Sequence, residues 1–204
     1  MMNSSRLFQI LTICFVCVSC APLIPIPMHQ FYPEANGGKL IYDQCPINEH
    51  IPHGILFSQQ DIQVFTRLGE HNRKTYIEIR FEVPEGKTVK LIETSAQLFW
   101  DGANQSKKIE FEKILLSPFF YIINPSNRIQ VTTLDVNELM VGESRRTLIG
   151  EQSKSYWLAS FLETPNSDKI KIALPKFTVN EELVTFPQIL FKRKWIIGFY
   201  VINC

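Results

Sequence analysis

The sequence predicts an all-β protein: an antiparallel β-sandwich with little helix. Three observations point there. From residue 39 onward apolar residues recur with a period of two rather than 3.6. The runs are short and are broken by turn-forming residues such as Pro84-Glu85-Gly86-Lys87 and Asp101-Gly102. The composition, with 15 phenylalanines and 12 prolines in 204 residues, favours strands and turns.

The clearest strand is Thr75 to Val83. Ile77, Ile79, Phe81 and Val83 fall on one face, and Tyr76, Glu78, Arg80 and Glu82 on the other. This is the alternation of a strand with one side on a core and the other in water. In chain order, the remaining strands are expected at Ile62 to Leu68, Ser95 to Trp100, Lys107 to Ile114, Arg128 to Leu134, Ser155 to Glu163, Lys169 to Leu174, Leu183 to Phe191 and Trp195 to Ile202. A short helical turn is expected around Asp135 to Met140. The irregular strand spacing suits an immunoglobulin-like or related sandwich better than an up-and-down barrel, whose strands are evenly spaced.

The N-terminus reads differently. Arg6 is the only charge before an uncharged stretch from Leu7 to Ser19. Its length of about 13 residues suits the apolar core of a signal peptide and falls short of the roughly 20 needed to span a bilayer. Ser19 is small, as the residue before a signal cleavage must be, whereas Ile13 and Val16 are bulky. A cut after Ala21 would leave Pro22 at the new terminus, with a fixed backbone and no N–H.

The segment Cys17-Val18-Ser19-Cys20 resembles the lipobox of bacterial lipoproteins, with Cys17 where that family usually carries Leu or another aliphatic residue. The resemblance implies cleavage before Cys20 and a diacylglycerol on its thiol. Each buried methylene contributes about 0.8 kcal/mol, so roughly three acyl chains make a stable anchor. Ala21 rather than Asp follows, which in Gram-negative members implies the outer membrane, facing the periplasm. The ending, Phe186 to Phe191 and then Gly198 to Cys204, is similar to that of uncharacterised proteobacterial lipoproteins. That likeness implies class and compartment and no activity.

Three segments follow: a signal peptide over 1–19, a lipidated N-terminus with a Pro-rich tether over 20–38, and a single domain over 39–204. The tether holds Pro22, Pro25, Pro27 and Pro33 and ends at Gly37-Gly38. Extended at about 3.1 Å per residue it would reach roughly 50 Å. Its Leu23 to Met28 stretch is apolar for a linker and either packs on the domain or sits in the membrane interface.

Candidate chemistry is sparse. No nucleophile elbow, phosphate loop, dinucleotide fingerprint or zinc-protease string is present. Glu49, His50 and His53 offer zinc-type ligands, but Pro52 breaks any helix that would align the imidazoles. Glu110 and Glu112 sit at alternate positions of one strand and point the same way, unlike a carboxylate pair facing across a sugar. Lys192-Arg193-Lys194 is read as guarding a strand edge or a hairpin turn; with 21 basic and 20 acidic residues there is no field to draw nucleic acid. Pro118 to Ile123 is a dense apolar run read as core, with an exposed ligand-binding or partner surface as the alternative. Trp100, Trp157 and Trp195 are read as core fillers, with sugar stacking as the alternative. No cofactor and no metal are implied.

Five cysteines are an odd number for an exported chain. Cys14 and Cys17 leave with the signal peptide and Cys20 is taken by lipid. Cys45 and Cys204 remain and are expected to pair, closing a loop of about 160 residues worth up to about 5 kcal/mol. The functional expectation is a lipid-anchored envelope protein with a non-enzymatic binding or structural role, its partner possibilities including an enzyme that it inhibits. The alternatives are a carbohydrate or small-ligand binder and a hydrolase with a dispersed site.

Overall fold

The computed structural model describes residues 24–42, 52–71, 74–100, 105–111, 113–117, 137–140, 146–150, 155–163 and 165–200. Every regular element among them is a strand. In chain order these are β1 (Ile24–Pro33), β2 (Lys39–Tyr42), β3 (Pro52–Gln59), β4 (Ile62–His71), β5 (Lys74–Glu82), β6 (Thr88–Leu91), β7 (Ser95–Trp100) and β8 (Gln105–Glu110). They continue as β9 (Lys113–Ser117), β10 (Asn137–Met140), β11 (Thr147–Ile149), β12 (Ser155–Glu163), β13 (Lys169–Ala173), β14 (Phe177–Val179), β15 (Glu182–Val184) and β16 (Ile189–Tyr200).

The strands form three antiparallel sheets in a sandwich-like arrangement. One has five strands, ordered β1-β16-β13-β7-β8, and one has seven, ordered β10-β9-β12-β5-β4-β3-β2. The third has four, ordered β11-β6-β14-β15. All three contribute to one core. The seven-stranded sheet supplies Ile55, Phe57, Val64, Ile77, Ile79, Phe81 and Leu158. The five-stranded sheet supplies Phe31, Leu98, Ile170, Ile172 and Phe191, and the four-stranded sheet Val89, Leu91, Leu148, Phe177 and Val184. Phe81 meets Phe177 edge-on at 5.2 Å between centroids, which joins two of the sheets.

Two tight hairpins use non-glycine residues in the left-handed region. Gln60 and Asp61 turn β3 into β4 at φ of 52° and 66°, and Asn180 and Glu181 turn β14 into β15 at 47° and 74°. Positive φ at both central residues is what the right-handed twist of a two-residue hairpin requires. Asn180 offsets part of the cost through its side chain, whose Oδ1 accepts from Thr88 N–H at 3.2 Å. The hairpins meet, with Gln60 Nε2 donating to Glu182 Oε2 at 2.8 Å.

The tether expectation is corrected over Ile24–Pro33. This stretch is a strand that pairs along its whole length with β16, from Ile24↔Tyr200 to Pro33↔Phe191. The prolines permit it because of their phase. Glu34 N–H donates to Leu190 O at 2.8 Å, so even-numbered positions of β1 face their partners with hydrogen bonds. Pro25, Pro27 and Pro33 are all odd, and their missing donors fall on the outer edge, where β1 has no neighbour among the described strands.

Three further readings change. Asn137–Met140, expected within a helical turn, is strand β10, paired with β9. Lys192-Arg193-Lys194 does not form a turn between two strands but runs through the middle of β16. The expected strand Lys107 to Ile114 is two strands, β8 and β9, belonging to different sheets. The strand expected at Arg128 to Leu134 lies outside the described residues.

Candidate functional site

The outward face of the seven-stranded sheet departs from the solvated surface that alternation predicts. Glu78 and Arg80 point away from the core yet are only 5% and 3% exposed. Phe65 on β4 and Trp157 on β12 are the direct cross-strand partners of Arg80. Both rings flank its guanidinium, with centroids 5.0 Å and 5.4 Å from Cζ. Arginine suits this place because its planar, weakly hydrated cation stacks on aromatic faces. Its Nη2 also lies 3.0 Å from Glu82 Oε1.

One step along the sheet, Arg67 Nε donates to Glu78 Oε2 at 2.6 Å and the guanidinium sits 5.4 Å from the Tyr76 centroid. Tyr76 tilts against Phe161 at 6.1 Å, and Phe161 is 63% exposed. Two glycines make room for the rings. A Cβ on Gly54 would stand 2.2 Å from Phe65, and one on Gly69 would stand 2.2 Å from Tyr76.

The result is an alternating arrangement of cations, carboxylates and rings. Burial pushes the Glu82 carboxyl above its ordinary value, with the Arg80 charge opposing the shift. Glu78 and Glu82 are each engaged by a neighbouring arginine, Arg67 and Arg80. Such an arrangement offers a flat or polar partner the exposed Phe161 ring beside Tyr76 and Arg67.

The residues singled out from the sequence are not gathered at one place. Cys20, Cys45, Cys204, Glu49, His50, Glu112 and the run Pro118 to Ile123 lie outside the described residues. His53 sits on β3 with its ring tilted against Phe65 at 5.6 Å. No group of three potential metal ligands occurs among the described residues. Glu110 is at the surface in an ion pair with Lys108 at 2.5 Å. Lys192 pairs with Glu34, Arg193 with Glu70, and Lys194 lies 5.5 Å from the Tyr32 ring.

The three tryptophans do not form a stacking platform. They stand on β7, β12 and β16. Trp100 donates to Gln105 Oε1 at 2.6 Å, Trp157 covers Arg80, and Trp195 is 59% exposed. Sequence reasoning missed the Arg80 cluster. The signal for it was present: Phe65, Trp157 and Phe161 are large aromatic residues in the outward phase of strands whose inward phase is already apolar. No known protein family, curated protein or solved structure matches the chain.

Proposed function

We propose that this chain is a lipid-anchored protein of the bacterial envelope, held through Cys20, with a non-enzymatic binding or structural role. The observation that carries the reading is the position of β1. Its first residue, Ile24, is four positions after Cys20, and β1 is built into the five-stranded sheet rather than left as a spacer. An anchor at Cys20 would therefore hold the sandwich close to the membrane surface. The signal-like Leu7 to Ser19 stretch and the lipobox-like Cys17 to Cys20 support the same reading.

On this reading, the outward face with Arg67, Tyr76 and Phe161 is the surface offered to a partner in the envelope. A binder of carbohydrate or another small ligand is the second reading, favoured by the exposed Phe161 ring beside Tyr76 and Arg67. The test is mass spectrometry of the mature N-terminal peptide from envelope-purified protein, with crosslinking and capture while it is on its anchor. The expected result is acyl mass on Cys20, and release or non-processing of Cys20→Ser. An unmodified mature chain beginning elsewhere overturns the anchor. Loss of the captured partner in Phe161→Ala with Arg67→Ala would separate protein binding from a soluble-sugar role, which sugar titration would reveal instead.

A further inference from the structure

β16 changes its surroundings partway along. At Phe191 and Lys192 it lies between β13 and β1, and the last backbone contact on the β13 side is Arg193 N–H to Asp168 O at 2.7 Å. Beyond it, β16 pairs with β1 alone as far as Ile24↔Tyr200. The face of β16 that carries the buried Ile189 and Phe191 continues as Arg193, Trp195 and Ile197. Arg193 is met by Glu70 of the opposite sheet. Trp195 and Ile197 are instead 59% and 52% exposed. The sandwich thus extends a two-stranded ribbon whose core-side face emerges into the open.

Two facts select what this face meets. The first is reach. Four residue steps separate Ile24 from Cys20, at most about 14 Å of fully extended chain. The ribbon is therefore the part of the domain tied nearest to Cys20. The second is charge. Neither ribbon strand contains an acid; Lys192 and Arg193 are engaged by Glu34 and Glu70, and Lys194, next to Trp195, is the exposed cation, beside the Tyr32 ring. An acid-free ribbon with an exposed tryptophan beside Lys194 matches the headgroup level of a membrane, where tryptophan is enriched and basic residues meet anionic lipid.

We infer that the β1–β16 ribbon is a membrane-interface element, which lays Trp195 and Ile197 into the headgroup region and sets the orientation of the sandwich above the bilayer. This rests on the lipid anchor at Cys20 proposed above. Two partly exposed side chains are too little to hold a domain on a membrane; the acyl chains hold it and the ribbon orients it. An interfacial rather than a spanning position also suits the ribbon's unpaired strand edges, which cannot be satisfied in hydrocarbon.

The experiment uses the mature lipidated protein in vesicles of phosphatidylethanolamine and phosphatidylglycerol, with a fraction of the lipid brominated on its acyl chains. Tryptophan emission is compared between wild type and Trp195→Phe, and the Cys20 peptide of the same samples is weighed. The expected result is acylated Cys20, quenching of the wild type by brominated lipid, and loss of that quenched component in Trp195→Phe. Acylated Cys20 with equal quenching in both proteins overturns the ribbon's role and leaves the anchor standing. Unmodified Cys20 overturns the anchor and, with it, this assignment. A Trp195 that brominated lipid does not reach but that is shielded from acrylamide in native envelopes assigns the face to a protein and overturns the membrane reading.

Discussion

Arg193 reaches from the five-stranded sheet to Glu70 in the seven-stranded sheet, its Nη2 lying 3.2 Å from one carboxylate oxygen and 2.9 Å from the other. The pair closes the sandwich at the point where the ribbon leaves it. Both side chains are mostly buried, so neither is well solvated if its partner is removed. Arg193→Ala and Glu70→Ala are each expected to destabilise the fold by about 1–3 kcal/mol, the range for hydrogen bonds to charged groups. In a double-mutant cycle by denaturant unfolding the two losses should not add. Additive losses would show that the contact contributes nothing of its own.

Phe81 and Phe161 separate the two faces of the seven-stranded sheet. Phe81 is fully buried against Phe177, and Phe161 stands in solvent. Phe81→Ala should cost about 3–5 kcal/mol, since it removes transfer energy and leaves a cavity where two sheets meet. Phe161→Ala should stay within about 0.5 kcal/mol. Equilibrium unfolding in urea measures both, and a cost for Phe81→Ala below about 1 kcal/mol would mean the sheets do not pack through it.

Glu82 makes stability depend on pH in a direction opposite to most carboxylates. Burial raises its pKa above the ordinary 4.5, and the neighbouring Arg80 only partly offsets this. The folded state then binds the proton more tightly than the unfolded chain. Its contribution is fully present below pH 4.5 and is lost as pH rises from there through the raised folded value. Glu82→Gln does not titrate. The stability of wild type minus that of Glu82→Gln should therefore fall as pH is raised through this window, measured by urea midpoints at closely spaced pH. A difference that grows with pH would show that Arg80 outweighs desolvation.

The cysteines give a prediction with a built-in competitor. Cys45 and Cys204 are expected as a disulfide in envelope-purified protein, found as one linked peptide without reductant. Tyr42, the last residue of β2, lies across from Pro52 at the start of β3, and Cys45 follows three positions later. Cys204 is four positions after Tyr200, whose ladder partner Ile24 is four positions after Cys20. Where Cys20 is unacylated, its thiol competes for Cys204. Linked Cys20 and Cys204 peptides in a preparation with acylation blocked, alongside Cys45 and Cys204 in the acylated one, would fit both expectations; free thiols at Cys45 and Cys204 in the acylated protein would refute the pairing.

The strands that could be read from the sequence are those with one clean face. Ser95–Trp100 and Ser155–Glu163 match their predicted bounds, and Ile77, Ile79, Phe81 and Val83 face the core as expected. Period-two alternation is a local signal and needs no knowledge of neighbours. Pairing is not local. Arg80 looks like a surface residue until Trp157, 77 positions later, is set beside it. β1 was hidden for a related reason: proline argues against a strand unless its missing donor is known to face an open edge, and that depends on a partner near the other end of the chain. The cations at 192–194 interrupt apolarity without interrupting the strand, because two of them are neutralised by acids on other segments, Glu34 and Glu70.

Among the described strands β1 has a single sheet neighbour, and that neighbour is β16. The first strand of the described chain therefore waits for the last. During synthesis at about 5–20 residues per second, the interval between Pro33 and Tyr200 is on the order of ten to thirty seconds. For that time an apolar, proline-spaced segment has no ladder to join, while the hairpins between β3, β4 and β5 can already close. The prolines that fit the finished edge also keep the waiting segment from offering a complete row of donors to a passing strand. Closure of the two ends comes late, so contacts there act on how long the native state lasts, by slowing unfolding, more than on how fast it is reached.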